Sequence, residues 1–308
     1  MYSPARISSD VFAAWRSLAA DNRSGAGEIY VRAVRTLRDH FASLAEGPEA
    51  LRDWPHWLHG LLQAQSMMAP LYNLCNRLAL ALECGEPAQP RNEILKILDE
   101  ELAHAPSRES LMAQHASQAI SSWRRVMTHS YSSAVAAALQ HAQTANASLE
   151  VFISEARPMN EGRRMAERLA QAGIMVHFFV DDARGRFIAA VDGVLLGADR
   201  ISENVFVNKI GTASLVNLAG QHGKPVFIVS QTNKCWPSRL HLQEEAGHLP
   251  DEIWPHAPAN VLLHNFYFEE IALAPGIGIL TENGLLTPAA LAAYFKNFVP
   301  AKFWMHRA

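Results

Sequence analysis

Two patterns of apolar spacing divide the chain. Over residues 8–121, apolar positions recur every three or four residues, the period that lines one face of an α-helix, and little here has the alternation of a strand. Ser9-Asp10 predicts the cap of a first helix carrying Trp15 and Leu18, and Ser24-Gly25 breaks it before a second helix that runs to about Leu44. Gly47-Pro48 is an interruption. Further helices are predicted over 51–65, 69–83, 91–103 and 107–123, and Leu74, Leu78 and Leu82 read as a core stripe.

After Arg124-Arg125, short apolar runs alternate with helical ones. Strands are predicted at 126–129, 149–154, 175–180, 194–197, 226–230 and 276–281. Helices are predicted between them at 132–143, 160–172, 184–190 and 213–222, with a last one at 287–298. This alternation implies right-handed β-α-β crossovers and a parallel sheet covered by helices on both faces. The stretch 231–268 is less regular and rich in Pro, His and Trp. The predicted class is α/β: an all-helical N-terminal domain (1–123) followed by a parallel-sheet domain (124–308).

Composition narrows the function. With 308 residues and 49% hydrophobic positions the chain can bury two medium cores. A net charge of -3 offers no basic stripe, so direct nucleic-acid binding is not expected. The 14 histidines lack metal-site spacing, and neither a dinucleotide nor a P-loop glycine pattern occurs, so no metal and no cofactor are expected. Three cysteines without framework spacing, no secretory leader and no membrane-length apolar run together predict a cytoplasmic protein with no membrane partner.

In a parallel sheet the residues just after each strand share one edge, where ligands bind. Here those residues are polar: T-H-S-Y-S-S (128–133), E-A-R-P (155–158), D-D-A (181–183), G-A-D followed by N-K-I-G-T (197–199 and 208–212), Q-T-N-K-C (231–235) and T-E-N-G (281–284). Asp199 can exchange a proton and is the candidate acid/base. Arg157 and Lys209 can neutralise a phosphate, beside Asn208, and Ser130 and Ser132 can add hydroxyl donors. Gly211-Thr212 opens a helix at Ala213, whose free N–H groups favour an anion. The expected ligand is a small phosphorylated molecule bearing hydroxyls. Each residue also has a structural reading: Asp199 as a turn cap, Lys209 as a solvated cation, Ser132 as a helix cap, Asp181 as a turn former, Glu155 as a partner of Arg157 and His129 as a hydrogen-bonded core histidine.

The run E-A-R-P-M-N-E-G-R-R, G-I-M-V-H-F-F-V-D-D-A, V-D-G-V-L-L-G-A-D-R-I and N-K-I-G-T resembles the superfamily that joins the regulatory subunits of translation initiation factor two B to two sugar-phosphate isomerases, acting on ribose 1,5-bisphosphate and methylthioribose 1-phosphate. The resemblance implies a helical domain followed by a Rossmann-like domain, assembled as a homodimer. It implies Asp199 as one proton carrier and places Ser130 where the isomerases have a cysteine. A thiol is partly ionised at neutral pH and a hydroxyl is not, so this exchange removes a ready base. R-S-G-A-G is similar to the isomerases' phosphate-binding R-G-A segment, with Ser24 inserted, and so assigns substrate contacts to Arg23, Gly25 and Ala26. T-H-S-Y-S is similar to the non-enzymatic subunits and G-A-D to the enzymes. The implied function is therefore aldose-ketose isomerisation of a phosphosugar or, alternatively, non-catalytic binding of a phosphosugar or nucleotide within a protein assembly.

Overall fold

The computed structural model describes residues 9–21, 25–45, 51–65, 67–83, 90–240, 242, 245 and 247–304, with the backbone alone at 9–12. These fall into two compact units. One comprises Met1–Ser107, Asn233–Gln243 and Tyr294–Ala308; the other comprises Arg108–Thr232 and Glu244–Ala293.

The first unit is helical. It holds α1 (Ser9–Ala19), α2 (Ala26–Ser43), α3 (Trp54–Ala64), α4 (Ala69–Glu83) and the first part of α5 (Pro90–Ala119). Helix α2 buries Ile29, Ala33, Val34, Leu37 and Phe41, the i, i+4, i+5 spacing of one helical face. Leu74 and Leu78 are buried as the stripe on α4 requires, and Leu82 packs on the same core. Trp236, from the second of the three segments, is buried in that core too and meets Tyr72 edge-on at 5.4 Å. Cys75 and Cys235 are buried free thiols, whereas Cys84 lies outside the described residues.

The two helices predicted at 91–103 and 107–123 are one helix, α5, with Pro106 inside it. Pro106 removes one backbone hydrogen bond. The helix persists because both sides of the proline are anchored: Ile94 and Leu98 in the first unit's core, Met112 and Ala116 in the second's.

The second unit is built on strands β1 (Arg125–Thr128), β2 (Glu150–Ser154), β3 (Met175–Phe179), β4 (Gly193–Leu196), β5 (Arg200–Ile201), β6 (Val205–Lys209), β7 (Val226–Val229), β8 (Phe268–Ala272), β9 (Ile277–Thr281) and β10 (Gly284–Leu286). Among the described residues a seven-stranded sheet has the order β10-β9-β7-β4-β1-β2-β3, all parallel except β10, which closes a hairpin on β9. Side chains alternate across it with period two. Val126, Val151, Ile153 and Leu195 enter one core with Val135 and Leu139 of α6 (Ser133–Ala145) and Met165 and Leu169 of α7 (Glu161–Gln171). Met127, Phe152, Val194 and Leu196 enter the other with Ile188, which follows the short α8 (Arg184–Phe187), and Leu215 and Ala219 of α9 (Thr212–Gln221). Helix α10 (Pro288–Lys296) follows β10. The chain is therefore α/β, with a helical N-terminal part and a mostly parallel sheet. Among the described residues no helix is long and apolar enough to cross a membrane.

The alternation reading missed a second, antiparallel sheet of order β5-β6-β8. Asn208 and Lys209 end strand β6 rather than lying in a loop after β4, and β8 comes from the end of the irregular stretch 231–268. β5 has only two residues, Arg200 pairing across to Val207, and β6 and β8 mix polar with apolar residues (V-F-V-N-K and F-E-E-I-A) instead of forming apolar runs.

Gly162, in the first turn of α7, sets how that helix meets β2. A Cβ there would lie 1.9 Å from the carbonyl oxygen of Ser154. Gly162→Ala is thus expected to lower unfolding free energy by about 1–3 kcal/mol or more, from overpacking against backbone. A urea midpoint equal to that of the parent chain would contradict this packing.

Candidate functional site

Strand order reverses between β1 and β4, since β1 continues to β2 and β3 on one side while β4 lies on the other. In open α/β sheets that switch point opens a crevice at the carboxyl ends of the strands. The loop after β1 carries Ser130, buried and held at φ 62°, a left-handed conformation that a non-glycine residue adopts only when its surroundings fix it. The Oγ of Ser132 accepts from the backbone N–H of Val135 at 3.3 Å, so its cap reading holds, yet it faces the crevice as well. A Cβ built on Gly197, just after β4, would stand 2.7 Å from Ser132 Oγ and 4.0 Å from Asn208 Oδ1. Ser132, Gly197 and Asn208 therefore converge, and only a glycine permits it.

Asp199 is half-buried two residues further on, and its N–H donates to the carbonyl of Val207 at 2.8 Å, which starts the β5–β6 hairpin. Asp199 and Lys209 thus stand on the two arms of one hairpin. Asn208 Nδ2 donates to Thr212 Oγ1 at 3.0 Å, and Thr212 Oγ1 donates to the carbonyl of Lys209 at 2.6 Å, fixing the end of β6.

Lys209 is not a solvated cation. Its side chain is 4% exposed, its Nζ lies 2.7 Å from Glu161 Oε1 at the start of α7, and 4.5 Å from the ring centroid of Tyr267. Tyr267 in turn donates its hydroxyl to Glu252 Oε2 at 2.5 Å. Burial, then the Glu252 carboxylate, push the phenol's proton affinity well above its usual range.

A guanidinium that the strand-end reasoning did not single out joins the loops. Arg184, buried, donates from Nη2 to His129 Nδ1 (3.2 Å) and Asp181 Oδ1 (2.9 Å), from Nη1 to Gly211 O (2.9 Å) and Ser214 Oγ (3.0 Å), and from Nε to Ser154 Oγ (3.2 Å). His129 Nε2 lies 2.8 Å from the carbonyl of Ile210, so Nε2 carries the hydrogen and Nδ1 accepts. Burial, then the positive charge of Arg184, bring His129 down from its ordinary 6.5 to about 4, so the ring is neutral at pH 7. Asp181 is more than a turn former. Its carboxylate accepts the N–H groups of Ala156 (3.0 Å) and Arg157 (2.9 Å). Burial pushes its pKa up, but those bonds, Ser154 and the Arg184 charge outweigh burial and bring it below the usual carboxylate value. The only sequence sign of this cluster was the Asp181/Arg184 spacing of three residues, an ordinary helical ion pair.

The remaining sequence candidates have varied fates. The Arg157 guanidinium is exposed and donates from Nη2 to the carbonyl of Ile253 at 3.0 Å; Glu155 pairs with Arg163 at 3.7 Å rather than with Arg157. The N-terminus of α9 is not a free anion site: Ala213 N–H donates to Glu269 Oε1 at 2.8 Å, an internal carboxylate supplied by the unforeseen β8. Glu282 holds the backbone N–H of Thr232 at 3.0 Å, tying the turn after β9 to the segment after β7. Arg23 lies outside the described residues. Gly25 and Ala26 start α2 in the helical unit, where Gly25 N–H donates to Glu28 Oε2 at 3.3 Å.

The sequence model of the Initiation factor 2 subunit family matches residues 23–288. A ribose 1,5-bisphosphate isomerase of Haloferax volcanii is 30% identical over 162 residues, covering 52% of this chain and 49% of that protein. The chain thus spans about half the length of that relative. A ribose 1,5-bisphosphate isomerase of Methanocaldococcus jannaschii is 25% identical over 270 residues, covering 86% of this chain and 87% of that protein. In fold, the chain is similar to the translation initiation factor eIF-2B of Pyrococcus horikoshii OT3, with a TM-score of 0.75 at 23% identity, covering 91% of this chain and 97% of that one.

The neutral His129 gives stability a pH dependence. Between about 4 and 6.5 the unfolded chain binds the proton that the folded one refuses, so stability rises with pH there. The contribution is complete above about 6.5 and is lost as pH falls toward 4, at a cost of about 3 kcal/mol. Urea titrations at pH 7, 5 and 4 should show this loss, and His129→Asn should flatten it; equal slopes in both proteins would contradict the assignment.

Proposed function

We propose, from the premise that this chain belongs to the Initiation factor 2 subunit family, that it binds a small phosphorylated sugar and interconverts its aldose and ketose forms. The site lies in the 124–308 portion. The observation that carries the reading is the convergence of Ser132, Gly197 and Asn208 beside Ser130 and Asp199, at the reversal of strand order, where small ligands bind.

Converting a cyclic aldose 1-phosphate into a ketose 1-phosphate opens the ring, moves the hydrogen of C2 to C1 and turns C2 into a carbonyl, with no net oxidation. Asp199 is assigned as the acid/base that handles this hydrogen. Ser130, or a water it holds, is assigned as the second proton carrier. Ser132 and Asn208 contact the sugar hydroxyls; Arg157 and Lys209 take its phosphates. For Lys209 to do so, phosphate must replace Glu161. That exchange is feasible because Glu161 Oε2 is buried and, among the described residues, has no hydrogen-bond donor. A phosphate brings more charge and more acceptor oxygens than the carboxylate it displaces. The ribose 1,5-bisphosphate isomerases among its relatives support this substrate class. We assign the protein to the cytoplasm and to a homodimeric state.

Ser130 favours a second reading. A serine hydroxyl is a poor base at neutral pH, so the alternative is a non-catalytic phosphosugar- or nucleotide-binding module that acts through protein assembly. Incubation of the purified chain with ribose 1,5-bisphosphate and with methylthioribose 1-phosphate, followed by NMR detection of ketose and calorimetry, separates the two. Isomerisation is expected, falling about 10²- to 10⁴-fold in Asp199→Asn and rising in Ser130→Cys. Tight binding without ketose, unaffected by Asp199→Asn, would overturn the enzymatic reading in favour of the binding module.

A further inference from the structure

We propose that Arg184 is the positioning residue of this site: one buried guanidinium sets Ser130, acting through His129, and Arg157, acting through Asp181. The proposal rests on the reading of Ser130 and Arg157 as site residues. Its geometric part stands without that reading.

Five acceptors on four separate segments surround Arg184. His129 Nδ1 belongs to the loop after β1, Ser154 Oγ to the end of β2, Asp181 Oδ1 to the turn after β3, and Gly211 O and Ser214 Oγ to the start of α9. A guanidinium offers five N–H donors in a fixed planar fork, so it can hold these acceptors at fixed mutual distances. An ammonium, with three donors at one point, cannot.

Two relays leave the fork. In the first, Arg184 Nη2 donates to His129 Nδ1, which forces the hydrogen onto Nε2 and directs it to the carbonyl of Ile210. The imidazole is then clamped at both nitrogens, and Ser130, the next residue, is held at its left-handed φ of 62°. In the second, Arg184 fixes the Asp181 carboxylate, which grips the N–H groups of Ala156 and Arg157. Ala156 is itself at φ 60°, so the loop carrying Arg157 is also strained and held from outside.

Stability alone does not account for this arrangement. Apolar residues of equal volume are often as stabilising as a buried ion pair with its hydrogen bonds, because desolvation offsets the attraction. What the fork adds is geometry, and an error of about 1 Å in a reacting group can cost about 100-fold in rate.

The test compares the full-length chain with Arg184→Met, which keeps length without charge, and Arg184→Lys, which keeps charge without the fork. In the parent protein the ¹⁵N imidazole spectrum of His129 should show a single neutral tautomer with hydrogen on Nε2, and the amides of Ala156 and Arg157 should exchange slowly. In Arg184→Met the fixed tautomer should be lost and both amides should exchange freely. With ribose 1,5-bisphosphate, kcat should fall about 10- to 100-fold as Ser130 shifts, and KM should rise as Arg157 shifts. Arg184→Lys should show the same changes to a smaller extent, and it decides the matter if Arg184→Met fails to fold. A folded variant that keeps the tautomer and the slow amides, or keeps kcat and KM, would overturn the proposal. If the parent chain neither binds nor converts the sugar phosphate, the functional reading fails, and the Arg184 clamp is judged on the tautomer and amide exchange alone.

Discussion

The site depends on how closely the loops after β1 and β4 approach where strand order reverses. Gly197 has no side chain, and Ser132 occupies the space a Cβ would take. That contact sets the two loops side by side, two residues before Asp199 on the chain leaving β4 and two after Ser130 on the chain leaving β1. Everything outside it can be understood as support. Period-two burial in β1, β2 and β4 fixes which way the strand ends face, and Gly162 lets α7 sit against β2 closely enough to bring Glu161 to Lys209.

The charges are arranged in the same spirit. Lys209, Arg184 and Arg157 are each restrained differently. Lys209 is buried beneath Tyr267 on Glu161. Arg184 is buried with a full set of acceptors and so cannot also bind a ligand. Arg157 is exposed, with its backbone clamped and its guanidinium on a carbonyl. A small anion entering here meets one cation open to water and one that must be released from a carboxylate, which favours a ligand of high charge density over a weak anion. The internal carboxylate of Glu269 already occupies the N-terminus of α9, so the anion has to be held by side chains rather than by that helix end.

Much of this was legible in the sequence, and the reasons are local. The alternation of short apolar runs with helical ones gave the parallel sheet because the central strands β1, β2 and β4 are buried on both faces and the helices between them on one. That the segments after β1, β2, β3 and β4 leave one edge of the sheet follows from strand direction alone, whereas Asn208 and Lys209, expected in a loop after β4, end a strand of the antiparallel sheet. What could not be read was anything depending on pairing at a distance. In the β5-β6-β8 sheet, β6 pairs with a β8 that lies 59 or more residues further along, as Lys209 and Phe268 do, and no periodicity reports such a pairing. Arg184 resembled any helical arginine, because the acceptors that make it a clamp come from four separate segments. In sequence Lys209 reads as a phosphate cation or a solvated one, and not as a buried ion pair, because the acid it meets, Glu161, starts a helix 48 residues earlier. The break predicted between 103 and 107 contains Pro106, and the cores on either side of it keep the helix continuous through the proline.

The most direct test of the central claim is the crystal structure of the full-length chain with ribose 1,5-bisphosphate bound. The account predicts the sugar at the switch point, C2 within hydrogen-bond reach of Asp199, and Lys209 released from Glu161 onto a phosphate. A sugar phosphate bound elsewhere, with Lys209 still on Glu161, would contradict it.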